Sequence, residues 1–317
     1  MFKSAFIHIG PHKTGSSYIQ SFLIDNEKGL MEKGFVFPNL SDETGHGHHN
    51  LAKPKFIKNE FSSFIKKLSN DPKNEDKTLI LSAENFSRLQ QSEISLMKNA
   101  LKDIKEIKVL MFIRNPASIL RSLWCESIKH KSCNSHPDFL IKHFVRPHFS
   151  EILNPYILHN RFLEAFPVKV INYDKICKKN LFSIAKTFLE VISCDDKLKY
   201  PTFEINKSFS LQESEIYRNL NIIFKKNGLP MLIQKDFKDY VKANDLQKNI
   251  DEAKNLITKT PFENSALSRP YKRFIKDKDI DHYAPKDKKL IKESDRVAPL
   301  EVMLSYNGLI KLKQNDK

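Results

Sequence analysis

Chemistry is densest in Gly10-Pro-His-Lys-Thr-Gly-Ser-Ser17. Two glycines bracket a cation, hydroxyls and a histidine. Glycine lets the backbone take positive φ or approach a ligand closely, and six of the chain's eight glycines lie within the first 47 residues. Such a loop at the start of a helix binds an anion through backbone N–H groups and the positive helix end. Lys13, Thr14, Gly15, Ser16 and Ser17 are therefore candidate anion-binding residues, and His12 adds a donor. The loop departs from a Walker A motif, in which Lys directly follows the second Gly. Here Ser16 takes that place and Lys13 precedes Gly15.

A second charged position ends an apolar run. Lys108-Val-Leu-Met-Phe-Ile113 reads as a parallel strand buried on both faces, and it is followed by Arg114. A Walker B strand would end in a carboxylate for Mg²⁺, whereas a guanidinium suits a bidentate phosphate contact. Asn115-Pro116 then opens a helix in which Ser122 falls eight residues after Arg114, a spacing that lets both serve one anion.

General bases are offered at two places. Asp42-Glu-Thr-Gly-His-Gly-His-His49 places three histidines in four positions, and imidazole titrates near neutrality. His48 and His49 are the leading candidates; a polar loop whose histidine caps a helix from Asn50, or a metal site, are the other readings. Glu84, just past the strand of Leu79-Ile-Leu-Ser82, is the second, able to act as a base, to cap the next turn or to bond His12.

The elements that must position these groups follow from the apolar pattern. Ser4 to Ile9 precedes the loop as a strand, and Tyr18, Ile19, Phe22 and Leu23 recur at helical spacing after it. A further strand is expected at 34–37. The fold class is α/β, a P-loop-like three-layer domain with a central parallel sheet flanked by helices. One domain over 1–317 is expected, with a helical elaboration around 211–262.

With 40% hydrophobic and 29% charged residues the chain can bury a core. Its formal net charge of +15 favours anionic ligands. The lysines are spread among acidic residues and read as a solvated surface, so no nucleic-acid partner is expected. No apolar run approaches the ~18 residues of a membrane span, nor does the segment before Gly10 leave room for a signal peptide. Cytoplasmic localisation with Cys125, Cys133, Cys177 and Cys194 as thiols is the simplest expectation. Trp124 reads as core.

Together, the loop Pro11-His-Lys-Thr-Gly-Ser-Ser17 and the strand end Ile113-Arg-Asn-Pro116 with Ser122 resemble the 5′-phosphosulfate and 3′-phosphate motifs of the sulfotransferases that use 3′-phosphoadenylyl sulfate (PAPS). The bacterial carbohydrate-type members are the nearest resemblance. Leu79 to Phe86, Val168 to Asp174, Asn206-Lys-Ser-Phe-Ser210 and His282-Tyr-Ala-Pro285 with a closing helix at 287–297 resemble further segments of that family. The resemblance implies a sulfotransferase taking PAPS as co-substrate, without a metal. It implies Lys13 at the leaving phosphate, a base after the first helix, Lys207 on the nucleotide, and a carbohydrate or glycolipid hydroxyl, possibly anionic, as acceptor. Peripheral membrane contact is compatible with such an acceptor. The alternatives are a P-loop small-molecule kinase, disfavoured by the placement of Lys13, or a non-catalytic nucleotide- or polyanion-binding protein.

Overall fold

The computed structural model describes residues 1–38, 47–146, 149–177, 182–194, 198–200, 209, 211–228, 235, 239, 242, 259–261 and 289–291. The chain divides into two compact units. The first comprises Met1–Asn115, Asn154–Ile205 and Pro270–Ala284, and the second Pro116–Leu153, Asn206–Arg269 and Pro285–Lys317.

The first unit begins with β1 (Ser4–His8), α1 (Ser16–Asp25), α2 (Glu27–Glu32) and β2 (Phe35–Val36). It continues through α3 (Pro54–Asn59), α4 (Phe61–Asn70), β3 (Thr78–Ser82), α5 (Gln91–Ala100) and β4 (Glu106–Ile113). The second unit contributes α6 (Pro116–Lys129) and α7 (His136–Phe144), after which α8 (Tyr156–Leu163), β5 (Val168–Asn172), α9 (Tyr173–Ile176) and α10 (Phe182–Val191) return to the first. The remaining described elements, α11 (Leu211–Lys226), β6 (Lys259–Pro261) and β7 (Lys289–Ile291), belong to the second unit.

Five strands form one sheet in the order β2-β3-β1-β4-β5, every neighbouring pair parallel. The apolar centre of β3, Leu79–Leu81, and the apolar second half of β4 follow from this position, because a parallel strand is covered on both faces. Ala5, Ile7, Leu79, Leu81, Val109 and Met111 pack on one face with Ile57, Phe61, Ile94 and Phe162 from α3, α4, α5 and α8. Ile80, Leu110 and Phe112 pack on the other with Ile19, Phe22, Phe188 and Leu189 from α1 and α10. The result is the expected three-layer α/β arrangement with a central parallel sheet.

The chain leaves β1 toward β2 and leaves β4 toward β5, so the order reverses between these adjacent strands. Ligands of open α/β sheets bind outside the carboxyl ends of strands at such a switch point. The loop after β1 and Arg114 after β4 both lie at those ends.

In the second unit Trp124 is fully buried, and its indole N–H donates to the Asn134 carbonyl over 3.0 Å. Within the helical elaboration expected around 211–262, Leu211–Lys226 is α11 and Lys259–Pro261 is the strand β6. Lys289–Ile291, expected within a closing helix, instead forms a strand antiparallel to β6, its backbone paired across strands and not along a helical turn.

Candidate functional site

The loop from Gly10 to Gly15 is shaped by close contacts on both sides. Gly10 has φ 84° and lies against Glu84, whose Cα would be 3.1 Å from a β-carbon at that position. Gly15 has φ 85°, and a β-carbon there would come within 3.0 Å of the Tyr173 ring and 3.1 Å of Ile184. Neither place accommodates a side chain. Between them the Gly10–Pro11 peptide is cis and Lys13 is left-handed at φ 66°. The Gly10 carbonyl accepts from the Phe112 N–H at 3.0 Å, so β1 and β4 remain paired up to the start of the loop.

Helix α1 starts at Ser16 with no side-chain cap on Gly15. The first-turn N–H groups of a helix have no intrahelical acceptor and carry the positive end of its dipole. The Ser16 hydroxyl is buried without a hydrogen-bond partner, a donor available for an anion at this end. The Thr14 hydroxyl is committed within the loop, donating to the Pro11 carbonyl at 2.5 Å; only its backbone is left from the role expected of it.

Arg114 closes the loop from the neighbouring strand. Its guanidinium donates to the Lys13 carbonyl at 2.7 Å, lies 5.0 Å from the Tyr173 ring centre, and has Asp174 at 3.9 Å. Asp174 in turn accepts the Asn115 N–H at 2.5 Å. Burial pushes the Tyr173 hydroxyl upward, so it stays protonated beneath the guanidinium. Arg114 thus shapes the loop as well as bringing positive charge to it.

Glu84 collects the ionisable groups. His12 Nδ1 lies 3.1 Å from its Oε1. Burial raises the carboxyl's pKa, but the His12 hydrogen bond and the charges of His12, His49 and Lys13 outweigh that and hold it below the usual carboxylate range. The candidates His12, Lys13, His49 and Glu84 are therefore brought together at the ends of β1 and β3.

His48 is not part of that group. It is buried and stacked on Phe37 at 4.3 Å between ring centres. Its Nδ1 accepts the Ser82 N–H at 3.1 Å and its Nε2–H donates to the Pro38 carbonyl at 2.7 Å, while its own N–H donates to the Ser82 carbonyl at 2.8 Å. Both ring nitrogens are occupied by backbone, which fixes a neutral tautomer. Burial pushes its pKa down to about 4. As a base candidate His48 is corrected to a structural residue that extends the end of β3. The helix expected from Asn50 starts later, at Pro54.

Ser122 lies on α6 in the second unit, where its hydroxyl donates to the Ser118 carbonyl at 2.8 Å. Lys207 and His46 lie outside the described residues. Among the described residues no three His, Cys, Asp or Glu side chains converge as metal ligands would.

Sequence reasoning missed the polar cluster beneath α1. His8 is fully buried, its Nδ1 2.8 Å from the Ser82 hydroxyl, its ring edge-on to Phe112 and Phe188. Burial lowers its pKa to about 4. Gln20 donates to the Ser82 carbonyl at 3.4 Å, and Gly47, at φ 95°, packs on Gln20 so closely that no β-carbon would fit. A histidine interrupting an apolar strand was the one available signal.

No family model matches the chain, and no curated protein does. Among solved structures, the crystal structure of a sulfotransferase from Alicyclobacillus acidocaldarius aligns with 69% of this chain and 92% of its own, at 14% identity and a TM-score of 0.41. The site is accordingly interpreted from its own residues. None of the helices among the described residues is long and apolar enough to cross a membrane.

Proposed function

We propose that the protein is a sulfotransferase that moves the sulfonate of PAPS to a hydroxyl of a carbohydrate or glycolipid acceptor. The observation that carries this proposal is the pairing of an uncapped loop-to-helix anion cradle after β1 with a guanidinium, in place of a carboxylate, at the end of β4, joined by the Arg114–Lys13 hydrogen bond. The orphaned Ser16 hydroxyl fits an anion at this helix end, and Gly10 and Gly15 let the loop pack tightly on Glu84, Tyr173 and Ile184.

PAPS, when bound, supplies an activated sulfonate whose transfer builds negative charge between the leaving phosphate and the acceptor. The chain's own contribution is positioning and charge stabilisation. The α1 amides, Ser16 and Ser17 bind the 5′ anion, Lys13 neutralises charge as it develops, and Arg114 serves the nucleotide's other phosphate. An acceptor hydroxyl needs a base to take its proton. His49 takes it; Glu84, already bonded to His12 and held below the ordinary range, is the weaker base and serves to orient the two imidazoles.

The test is thermal-shift titration with adenosine 3′,5′-bisphosphate against Mg-ATP, since a ligand that binds only the folded state raises the melting temperature. Stabilisation by the bisphosphate without metal, reduced in Lys13→Ala, supports the assignment. Stabilisation by Mg-ATP alone replaces it with a kinase. Transfer of labelled sulfonate to glycan acceptors then identifies the acceptor.

A further inference from the structure

The most exposed large apolar side chains form a cluster. Of the seven among the described residues, three lie within nine positions at the end of α7: Ile141 at 57% exposure, Val145 at 69% and Phe149 at 81%. Scattered single apolar residues on a surface require no explanation, but a contiguous group marks an interaction site. Ile141 and Val145 are one helical turn apart, hence on one face. The Phe149 N–H donates to the Arg146 carbonyl at 3.1 Å, which places Phe149 beside the end of this helix.

The opposite face of the same helix is fixed to its unit. Phe139 and Leu140 are buried, His136 stands edge-on to Trp124 at 5.0 Å, and Ser135 with Asp138 forms a capping box at the start. The outward residues therefore gain nothing from folding.

Charge selects among occupants. From Phe139 to Ser150 the sequence holds Lys142, His143, Arg146 and His148, flanked by Asp138, which is engaged with Ser135 in the capping box, and by Glu151, within a chain of net charge +15. Arg146 is exposed. Exposed apolar groups interleaved with cations match the interface of an anionic bilayer, where apolar side chains enter the acyl boundary and cations meet headgroups.

We propose that the end of α7, through Ile141, Val145 and Arg146 with Phe149 beside them, docks the protein onto an anionic lipid surface. This surface is independent of the nucleotide site, so each stands or falls by its own experiment.

Co-sedimentation of the full chain with phosphatidylcholine vesicles, with and without phosphatidylglycerol, tests it. Binding is expected only with the anionic lipid and should weaken with salt. Replacing the two most exposed of these residues (Val145→Ser with Phe149→Ser) should lower the partition coefficient at least about tenfold at unchanged melting temperature, since each loses most of a buried apolar side chain's transfer energy. Arg146→Gln should weaken binding less, and Leu96→Ser, an exposed apolar residue in the other unit, should leave it unchanged. Absence of binding overturns the proposal. So does binding that the double variant retains, which would reflect diffuse net charge, and so does self-association that the double variant abolishes without any vesicle binding.

Discussion

Arg114 donates a 2.7 Å hydrogen bond to the carbonyl oxygen of Lys13 across 101 residues of sequence. The guanidinium at the end of β4 thereby holds the loop after β1, and the cation in that loop is presented by a residue at φ 66° that the bond helps keep in place.

Arg114→Lys keeps the charge and loses the fork. Removing a hydrogen bond to a charged group, with Asp174 left less well compensated, should cost about 1.5–3 kcal/mol. Urea unfolding reads that loss, and the thermal shift given by the bisphosphate should shrink in the same variant. An unchanged midpoint would show that the loop holds its shape without the guanidinium.

Gly15→Ala tests the cradle. The new β-carbon would sit at positive φ and within 3.1 Å of both Tyr173 and Ile184, and such backbone strain costs on the order of 1–3 kcal/mol. Gly34 also has positive φ but nothing within 4 Å of a β-carbon, so Gly34→Ala should cost less, about 1 kcal/mol, and leave ligand binding intact.

His48 and His49 should separate stability from turnover. His48→Ala removes a stacked, doubly bonded buried ring and should destabilise by about 2–4 kcal/mol. His49→Ala should change stability by no more than about 0.5 kcal/mol and reduce sulfonate transfer about 10²- to 10⁴-fold. Unfolding curves and steady-state rates on the two variants suffice, and equal rates in wild type and His49→Ala would remove His49 as the base.

Acid should unfold the protein through His8 and His48. Both are held to about 4 by burial, against an unfolded value of 6.5. Between these values the unfolded chain binds more protons than the folded one, so stability rises with pH across that interval. The contribution is fully present above pH 6.5 and is lost progressively as pH falls toward 4, by about 3 kcal/mol for each ring at most. His48→Asn should flatten the dependence of the urea midpoint on pH across this window; a slope equal to that of wild type would assign it to other groups.

The sheet was legible because its strands carry short apolar runs, Ala5–Ile7, Leu79–Leu81 and Val109–Ile113, as a parallel strand covered on both faces requires. The loop was legible because its glycines and the following helical spacing are local signals. The sequence by itself therefore determined an α/β chain with a glycine-bracketed loop after the first strand and an arginine after the fourth.

Only the tertiary structure distinguished His48 from His49. The two differ by one position, and which one loses its solvent depends on Ser82, 34 residues away, and on Phe37. The same holds for His8 under α1, for Thr14 turned onto Pro11, for Ser122 within the second unit, and for Lys289–Ile291 paired as a strand. Periodicity records conformational freedom and burial along one segment, whereas protonation and hydrogen-bond assignments are set by groups that folding brings in from elsewhere.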